Sequence, residues 1–73
     1  MKLHEEQKQI IWCVKRGLTN IEIGEELGYS HNTIKKKLQL IYKLFNVRGR
    51  IDLVNELLKF ELKSKINIEI NKT

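Results

Sequence analysis

The turn at residues 28–30, with the sequence Gly-Tyr-Ser, constrains the fold more than any other segment, because it separates two stretches of helical periodicity. Before the turn, apolar residues recur at helical spacing over about residues 20–27, and Gly28 ends that pattern. After the turn, Ser30 is a good N-cap for a longer helix over about residues 31–45. The pattern predicts a short helix, a tight turn and a second helix, which together form a helix-turn-helix.

Two further helical stretches flank this unit. The first is predicted over about residues 5–16, and Gly17 follows it as a natural residue for a left-handed helix end. The second is predicted from Ile51 to Leu62. The sequence therefore predicts an all-α fold with four helices.

The C-terminal residues carry a different pattern. Ile66, Ile68 and Ile70 alternate with polar residues as in a strand, but a single strand has no partner within a four-helix monomer. We divide the chain into a helix-turn-helix domain at residues 1–63 and a helix extension or flexible tail at residues 64–73. Strand pairing between two subunits is the alternative.

The small size of the chain limits how it can be stabilised. Its 73 residues form one domain with a small core, and such domains usually rely on disulfides, a metal ion or a partner subunit. The single cysteine, Cys13, excludes an internal disulfide and is interpreted as a packed core residue. No zinc-site spacing, membrane-length apolar run or secretory signal is present. We therefore expect a cytoplasmic protein that self-associates and needs no metal or cofactor.

The charge of the chain favours an acidic partner. The formal net charge is +5, and nucleic acid is the commonest partner of a compact basic domain. Helical spacing places several polar residues on the outward side of the predicted third helix: Asn32, Lys35, Lys36, Gln39 and Lys43. The first of them lie in the first two turns after the tight turn, where a recognition helix contacts bases. We interpret this side as a surface for double-stranded DNA, with a solvated face without a ligand as the alternative.

A set of residues with fixed spacing runs through all four predicted helices: Leu3, Ile10, Gly17, Thr19, Asn20, Glu22, Ile23, Glu26, Leu27, Ser30, Thr33, Ile34, Leu38, Ile41, Tyr42, Val47, Arg50 and Val54. With this set, the chain resembles the LuxR/GerE family of bacterial transcriptional regulators from Leu3 to about Leu58. The resemblance implies a four-helix LuxR/GerE-type helix-turn-helix fold, a sequence-specific DNA site, a role in transcription and dimerisation through the last helix.

The resemblance also implies roles for individual residues. By position, base edges are read by Lys35, Lys36 and Gln39, which lie on the outward side described above. Lys can donate to guanine O6 and N7, and Gln can form a bidentate pair with adenine. The start of the helix favours phosphate through its dipole and free amides. We expect contacts with the DNA backbone from Ser30, His31, Asn32, Thr33, Lys37 and Lys43.

The chain departs from the family pattern at the starts of two helices. His4 and Gln7 stand where the family usually has the Thr and Glu of a capping box, so we expect a weaker start of the first helix. Ile51 stands where the family commonly has a capping Ser or Thr. Asp52 or the region around Gly49 must therefore cap the last helix.

Glu22, in the predicted second helix, has two interpretations. It is either a charged residue on a solvated face or the partner of a basic residue such as Arg50, which would tie the second helix to a distant turn. The sequence gives no distance between the two residues, so both interpretations stay open.

The predicted last helix carries two apolar stripes about 140° apart. The first stripe consists of Ile51, Val54, Leu58 and Leu62, and the second consists of Leu53, Leu57 and Phe60. A peripheral helix in so small a monomer needs to bury only one stripe, and a two-fold related copy is the simplest cover for the other. We assign Leu53, Leu57 and Phe60 to the dimer interface, with a wide single surface facing the core as the alternative.

The leading hypothesis is a homodimeric transcriptional regulator that binds a pseudo-palindromic operator. We expect a complete small protein without a sensory domain rather than a domain from a longer regulator, because Met1 stands directly before the helix-turn-helix domain. The alternative is a module that binds RNA polymerase or another regulator without reading DNA, although lysines on the third helix argue against it. The chain has no Ser/His/Asp set, carboxylate pair or phosphate-binding Gly loop, so we do not expect an enzyme.

Overall fold

The computed structural model describes the backbone of residues 2–71 and the side chains of residues 2–60. Within this part of the chain there are four α-helices and no β-strand. The helices are α1 (Glu5–Lys15), α2 (Asn20–Leu27), α3 (His31–Phe45) and α4 (Arg50–Asn71). The all-α prediction is confirmed, and the predicted bounds of the second and third helices match α2 and α3. No helix in the described ranges is both long and apolar enough to cross a membrane.

Side-chain caps hold the starts of α2 and α3. Thr19 Oγ1 accepts a hydrogen bond from the Glu22 N–H at 3.2 Å, and Glu22 Oε1 accepts one from the Thr19 N–H at 2.8 Å. These bonds lower the pKa of the Glu22 carboxyl. Glu22 is therefore held in a capping box at the start of its own helix, and the interpretation that pairs it with Arg50 is wrong. Ser30 caps α3 by accepting from the Thr33 N–H at 3.2 Å.

The start of α1 uses a glutamine in place of the usual acidic residue. Gln7 Oε1 accepts a hydrogen bond from the His4 N–H at 2.8 Å, which supplies the half of a capping box that reaches back to the N-cap. Glu5 and Glu6 lie in the first turn, where the helix dipole favours negative charge. The weaker start expected from His4 is therefore partly compensated.

One apolar core joins the four helices. Its buried members are Ile10, Ile11, Cys13, Val14, Ile23, Ile34, Leu38, Ile41 and Leu53. Cys13 lies in this core as the sequence indicated, with its Sγ 3.4 Å from Glu26 Oε2. Leu53 is 0% exposed. Leu53 therefore packs inside the monomer, and this burial disfavours its assignment to a dimer interface, which stays a prediction.

Gly24 lies where α2 passes closest to the turn that precedes α3. A Cβ added at Gly24 would lie 2.3 Å from the carbonyl oxygen of Tyr29, far inside van der Waals contact. The Gly24 carbonyl also accepts hydrogen bonds from the N–H groups of Gly28 and Tyr29, both at 2.8 Å. The lack of a side chain at Gly24 therefore sets how closely the turn packs against α2.

Two side chains fix the start of α4. Asp52 Oδ2 accepts hydrogen bonds from the backbone N–H and the Nε of Arg48, at 3.3 and 3.1 Å. These bonds lower the pKa of the Asp52 carboxyl. The Arg50 guanidinium donates to the Leu18 carbonyl at 2.6 Å and to Asn20 Oδ1 at 2.8 Å. Arg50 thereby ties α4 to the segment that joins α1 and α2 and to the first residue of α2.

The end of α4 differs from the expected pattern. The helix continues to Asn71, so the backbone of residues 64–71 is helical and the strand alternative is wrong. The division of the chain after residue 63 stays a prediction. The side chain of Leu62, which was assigned to an apolar stripe, lies outside the described residues, and so do residues 72–73.

Candidate nucleic-acid interface

The helix α3 has two chemically different sides. Toward the core, Ile34, Leu38 and Ile41 are buried. On the other side lie exposed polar side chains, which we call the basic face: Asn32, Lys35, Lys36, Gln39 and Lys43. The division between apolar and polar sides that the sequence predicted is present in the structure.

Helical geometry orders the side chains of the basic face. At 100° per residue, Asn32, Lys36 and Lys43 lie within about 40° of one another and point most directly away from the core. Gln39 lies about 20° from Asn32, and Lys35 lies further round, at the edge that borders the core. Lys36 and Gln39 are therefore placed more centrally than Lys35 among the predicted base-reading residues.

The lysines of the basic face have no anion close by within the described part of the chain. The ion pairs there include Lys8 with Glu5, Arg16 with Glu26, Lys37 with Glu6 and Arg48 with Asp52. None of them involves Lys35, Lys36 or Lys43. The charge on these three lysines is therefore available to an external anion.

The first turn of α3 contributes polar groups at one end of the basic face. His31 and Asn32 are exposed, whereas Thr33 is half-buried. The Ser30 Oγ lies 3.0 Å from Thr33 Oγ1, so both hydroxyls already have a partner within the cap. Because the helix dipole adds positive partial charge here, His31 and Asn32 are the groups most open to an incoming phosphate.

Lys37 differs from the other lysines of α3. Its Nζ lies 2.7 Å from Glu6 Oε1 and 4.8 Å from the centre of the Tyr29 ring. The Tyr29 hydroxyl donates a hydrogen bond to the other carboxylate oxygen, Glu6 Oε2. The sequence assigned Lys37 to the DNA backbone, but the structure gives its ammonium two partners within the chain. We call these residues the Glu6–Tyr29–Lys37 cluster.

The pKa shifts in this cluster follow from its hydrogen bonds. Bonds from Lys37 and Tyr29 lower the pKa of the Glu6 carboxyl. The same bonds to Glu6 raise the pKa of Lys37 and of Tyr29. The sequence did not identify Glu6 or Tyr29 as partners of Lys37, because the three residues lie in three separate segments and no spacing rule connects them.

Comparison with known families matches the region that contains the basic face. A family model described as bacterial regulatory proteins of the luxR family matches residues 1–57, from before α1 into α4. The chain belongs to the luxR family. This confirms the resemblance identified from the sequence. Among solved structures, none matches this luxR-family chain significantly.

A curated relative of this luxR-family chain is the two-component response regulator PprB of Pseudomonas aeruginosa. The two proteins are 35% identical over 52 residues, which cover 71% of this chain and 19% of PprB. The matched segment therefore spans about a fifth of the length of the relative.

The two apolar stripes on α4 of this luxR-family chain differ in exposure. In the stripe assigned to the dimer interface, Leu53 is buried, Leu57 is half-buried and Phe60 is 73% exposed. In the other stripe, Ile51 is 77% exposed and Leu58 is 55% exposed. The core is therefore contacted through Leu53 and Leu57 of one stripe and through Val54 of the other. Ile51, Leu58 and Phe60 are left on the surface.

Proposed function

We propose that this chain is a sequence-specific DNA-binding regulator of transcription that places α3 in the major groove as a homodimer. The basic face of α3 carries the proposal, because exposed lysines and amides without nearby anions lie on the second helix of a helix-turn-helix. Kinship with a two-component response regulator supports a regulatory role. We infer that the protein acts in the bacterial cytoplasm, because that compartment contains the double-stranded DNA it is proposed to bind.

We assign base reading to the three residues in the middle of the basic face along α3. Lys35 and Lys36 supply donors for guanine O6 and N7, and Gln39 can pair with adenine through its amide. Contacts with phosphate are assigned to the surrounding polar groups: Ser30, His31, Asn32, Thr33 and Lys43. These contacts position α3, whereas the base contacts supply the specificity.

Substitutions on the basic face separate reading from attraction. Lys36→Ala or Gln39→Ala is expected to relax the preference at particular base pairs by about 1–3 kcal/mol, because a bidentate donor or acceptor is lost. Lys43→Ala, a control on the same helix, is expected to weaken binding to all sequences alike. Binding-site selection from a random duplex library, with the parent and each variant, measures both effects.

Two outcomes would contradict these assignments. If the Lys36 and Gln39 variants select the same motif with the stringency of the parent, these residues do not read bases. If the parent selects no motif at all, the chain is not a sequence-specific DNA-binding protein. The alternative module that binds another protein would then be favoured.

The proposed dimer uses the outer side of α4. Ile51 and Leu58 are seven positions apart, so they lie within about 20° of each other on one side of the helix. Two large apolar side chains left on the surface of one helix suit contact with a second copy of that helix. Phe60 lies about 180° from Ile51 and cannot share this contact. We therefore propose that Ile51 and Leu58, in place of Leu53, form the contact between the two copies of α4, which we call the seam.

A charge in this seam is expected to break the dimer without unfolding the monomer. Leu58→Glu should weaken association by about tenfold or more, because it puts an unpaired carboxylate into an apolar contact. The matched control is Phe60→Glu, which changes an exposed residue of the same helix on its other side. Sedimentation equilibrium and affinity for duplexes with one or two half-sites are the measurements. If Phe60→Glu dissociates the dimer and Leu58→Glu does not, the seam lies on the stripe first assigned.

A further inference from the structure

The Glu6–Tyr29–Lys37 cluster joins three separate elements through one carboxylate. Glu6 lies in the first turn of α1, Tyr29 lies in the turn of the helix-turn-helix, and Lys37 lies in the second turn of α3. Each oxygen of Glu6 has a different partner, since Oε1 faces the Lys37 ammonium and Oε2 accepts from the Tyr29 hydroxyl. Because both oxygens are engaged, one carboxylate on α1 contacts both the turn and α3.

Because Lys37 lies next to the basic face, the Glu6–Tyr29–Lys37 cluster can affect how the proposed base-reading residues meet DNA. Lys36 precedes it in the chain, and Gln39 follows two residues later. Side chains that read bases must be held to within about 0.5 Å by the residues that support them. A bond between Lys37 and α1 limits how far the first turns of α3 can rotate, and therefore where Lys36 and Gln39 point.

Contact between Lys37 and phosphate would have an electrostatic cost. If the Lys37 ammonium moved to a DNA phosphate, the Glu6 carboxylate would lose its cation while facing an approaching polyanion. The Lys37 side chain is also only 31% exposed, and its ammonium lies over the Tyr29 ring. Lys43 has none of these constraints, because no described residue forms an ion pair with it.

We propose that Lys37 is a positioning residue that fixes the recognition helix to α1 through Glu6 and Tyr29, and that it keeps this bond when the protein is on DNA. The inference rests on the proposed function, since it concerns how the DNA-reading helix is held. It replaces the contact between Lys37 and the DNA backbone that the sequence predicted.

A charge-neutral exchange of the pair tests this inference. The double variant Glu6→Gln/Lys37→Met removes one charge of each sign, so the net charge of the protein does not change. The logarithm of the binding constant falls linearly with the logarithm of the salt concentration, and each phosphate contact makes this slope steeper by about 0.9. If Lys37 stays on Glu6, the double variant should keep the parent slope. Discrimination between the operator and a scrambled duplex should fall about two- to fivefold, the range of a partly exposed ion pair.

Single variants and a matched pair complete the experiment. Glu6→Gln alone should remove the ion pair and let Lys37 contact a phosphate, which would make the slope steeper by up to about 0.9 per protomer. Lys37→Arg keeps the ion pair and should retain the parent discrimination. The control is Glu5→Gln/Lys8→Met, which removes the exposed ion pair within α1 and should change neither the slope nor the discrimination. An NMR titration of the Glu6 carboxyl, without DNA, should show its pKa rising in Lys37→Met.

The possible results separate this inference from the proposed function. Lys43→Met is expected to make the slope shallower by about 0.9 per protomer. If the double variant does the same, the inference is overturned and Lys37 contacts the DNA backbone. Unchanged discrimination in the double variant would overturn it as well. A parent protein that fails to bind any duplex would instead overturn the proposed function, while the Glu6 titration would still report whether the cluster forms.

Discussion

Binding of this protein to its preferred duplex is expected to weaken by ~10³ to 10⁵-fold when the salt concentration rises from about 50 to 200 mM. In the proposed complex, each protomer of a dimer presents the basic face and the start of α3 to the duplex. A dimer should therefore displace counterions from ~6 to 10 phosphates. Fluorescence anisotropy of a labelled operator, titrated at fixed pH over this salt range, gives the affinities and the slope.

Two lysines provide the controls for the salt titration. Lys43→Met should reduce the slope by about 0.9 per protomer, because one phosphate contact is lost. Lys8→Met, on α1 and not a member of the basic face, should leave the slope close to that of the parent. A nearly flat titration of the parent protein would remove nucleic acid as the main partner.

Replacement of Gly24 by alanine is expected to destabilise this protein more than alanine at any of its other three glycines. The new Cβ would meet the Tyr29 carbonyl at 2.3 Å, and a backbone atom cannot move aside as the end of a side chain can. Overpacking typically costs about 1–3 kcal/mol in the free energy of unfolding, and the clash with a backbone atom places this change near the upper limit of about 3 kcal/mol. For a domain of this size, that loss lowers Tm by about 12–24 °C. Thermal unfolding followed by circular dichroism measures the shift.

Gly28→Ala is the matched control, because it separates the clash from ordinary strain at a glycine. Gly28 has a φ of +80°, and no atom lies within 4 Å of a Cβ added there. Its replacement should cost only the left-handed backbone penalty of about 1–2 kcal/mol. If Gly24→Ala unfolds no earlier than Gly28→Ala, the close approach of α2 to the turn does not determine stability.

The helix-turn-helix was predictable because its signals are local. Ser30 and Gly28 mark the helix ends through their own backbone and side-chain chemistry, and α2 and α3 have the predicted bounds. The same holds for Thr19 and Glu22, whose spacing of three residues is the signature of a capping box. That signal was present in the sequence, and it would have excluded the pairing of Glu22 with Arg50.

The rest of the structure depends on distances that periodicity does not contain. Both stripes of α4 are apolar, so spacing alone could not decide that Leu53 faces the core and Leu58 faces solvent. The partners of Arg50 lie 32 and 30 residues earlier in the chain. For Lys37, the helical position was predicted correctly, but its engagement by Glu6 depends on how α1 crosses α3. The outward side of α3 could be predicted from the sequence, whereas the contacts that hold the helix could not.

In the proposed function, the residues of α3 that select the DNA sequence are separate from the residues of α3 that pack in the core. Within the described residues, Lys35, Lys36 and Gln39 have neither an ion pair nor a hydrogen bond to another side chain, so the core does not depend on their identity. Exchanges at such surface positions usually change the free energy of unfolding by less than about 0.5 kcal/mol. A gene duplicate of this protein could therefore acquire a new operator, and with it a new set of regulated genes, through substitutions at a few positions that leave its folding intact.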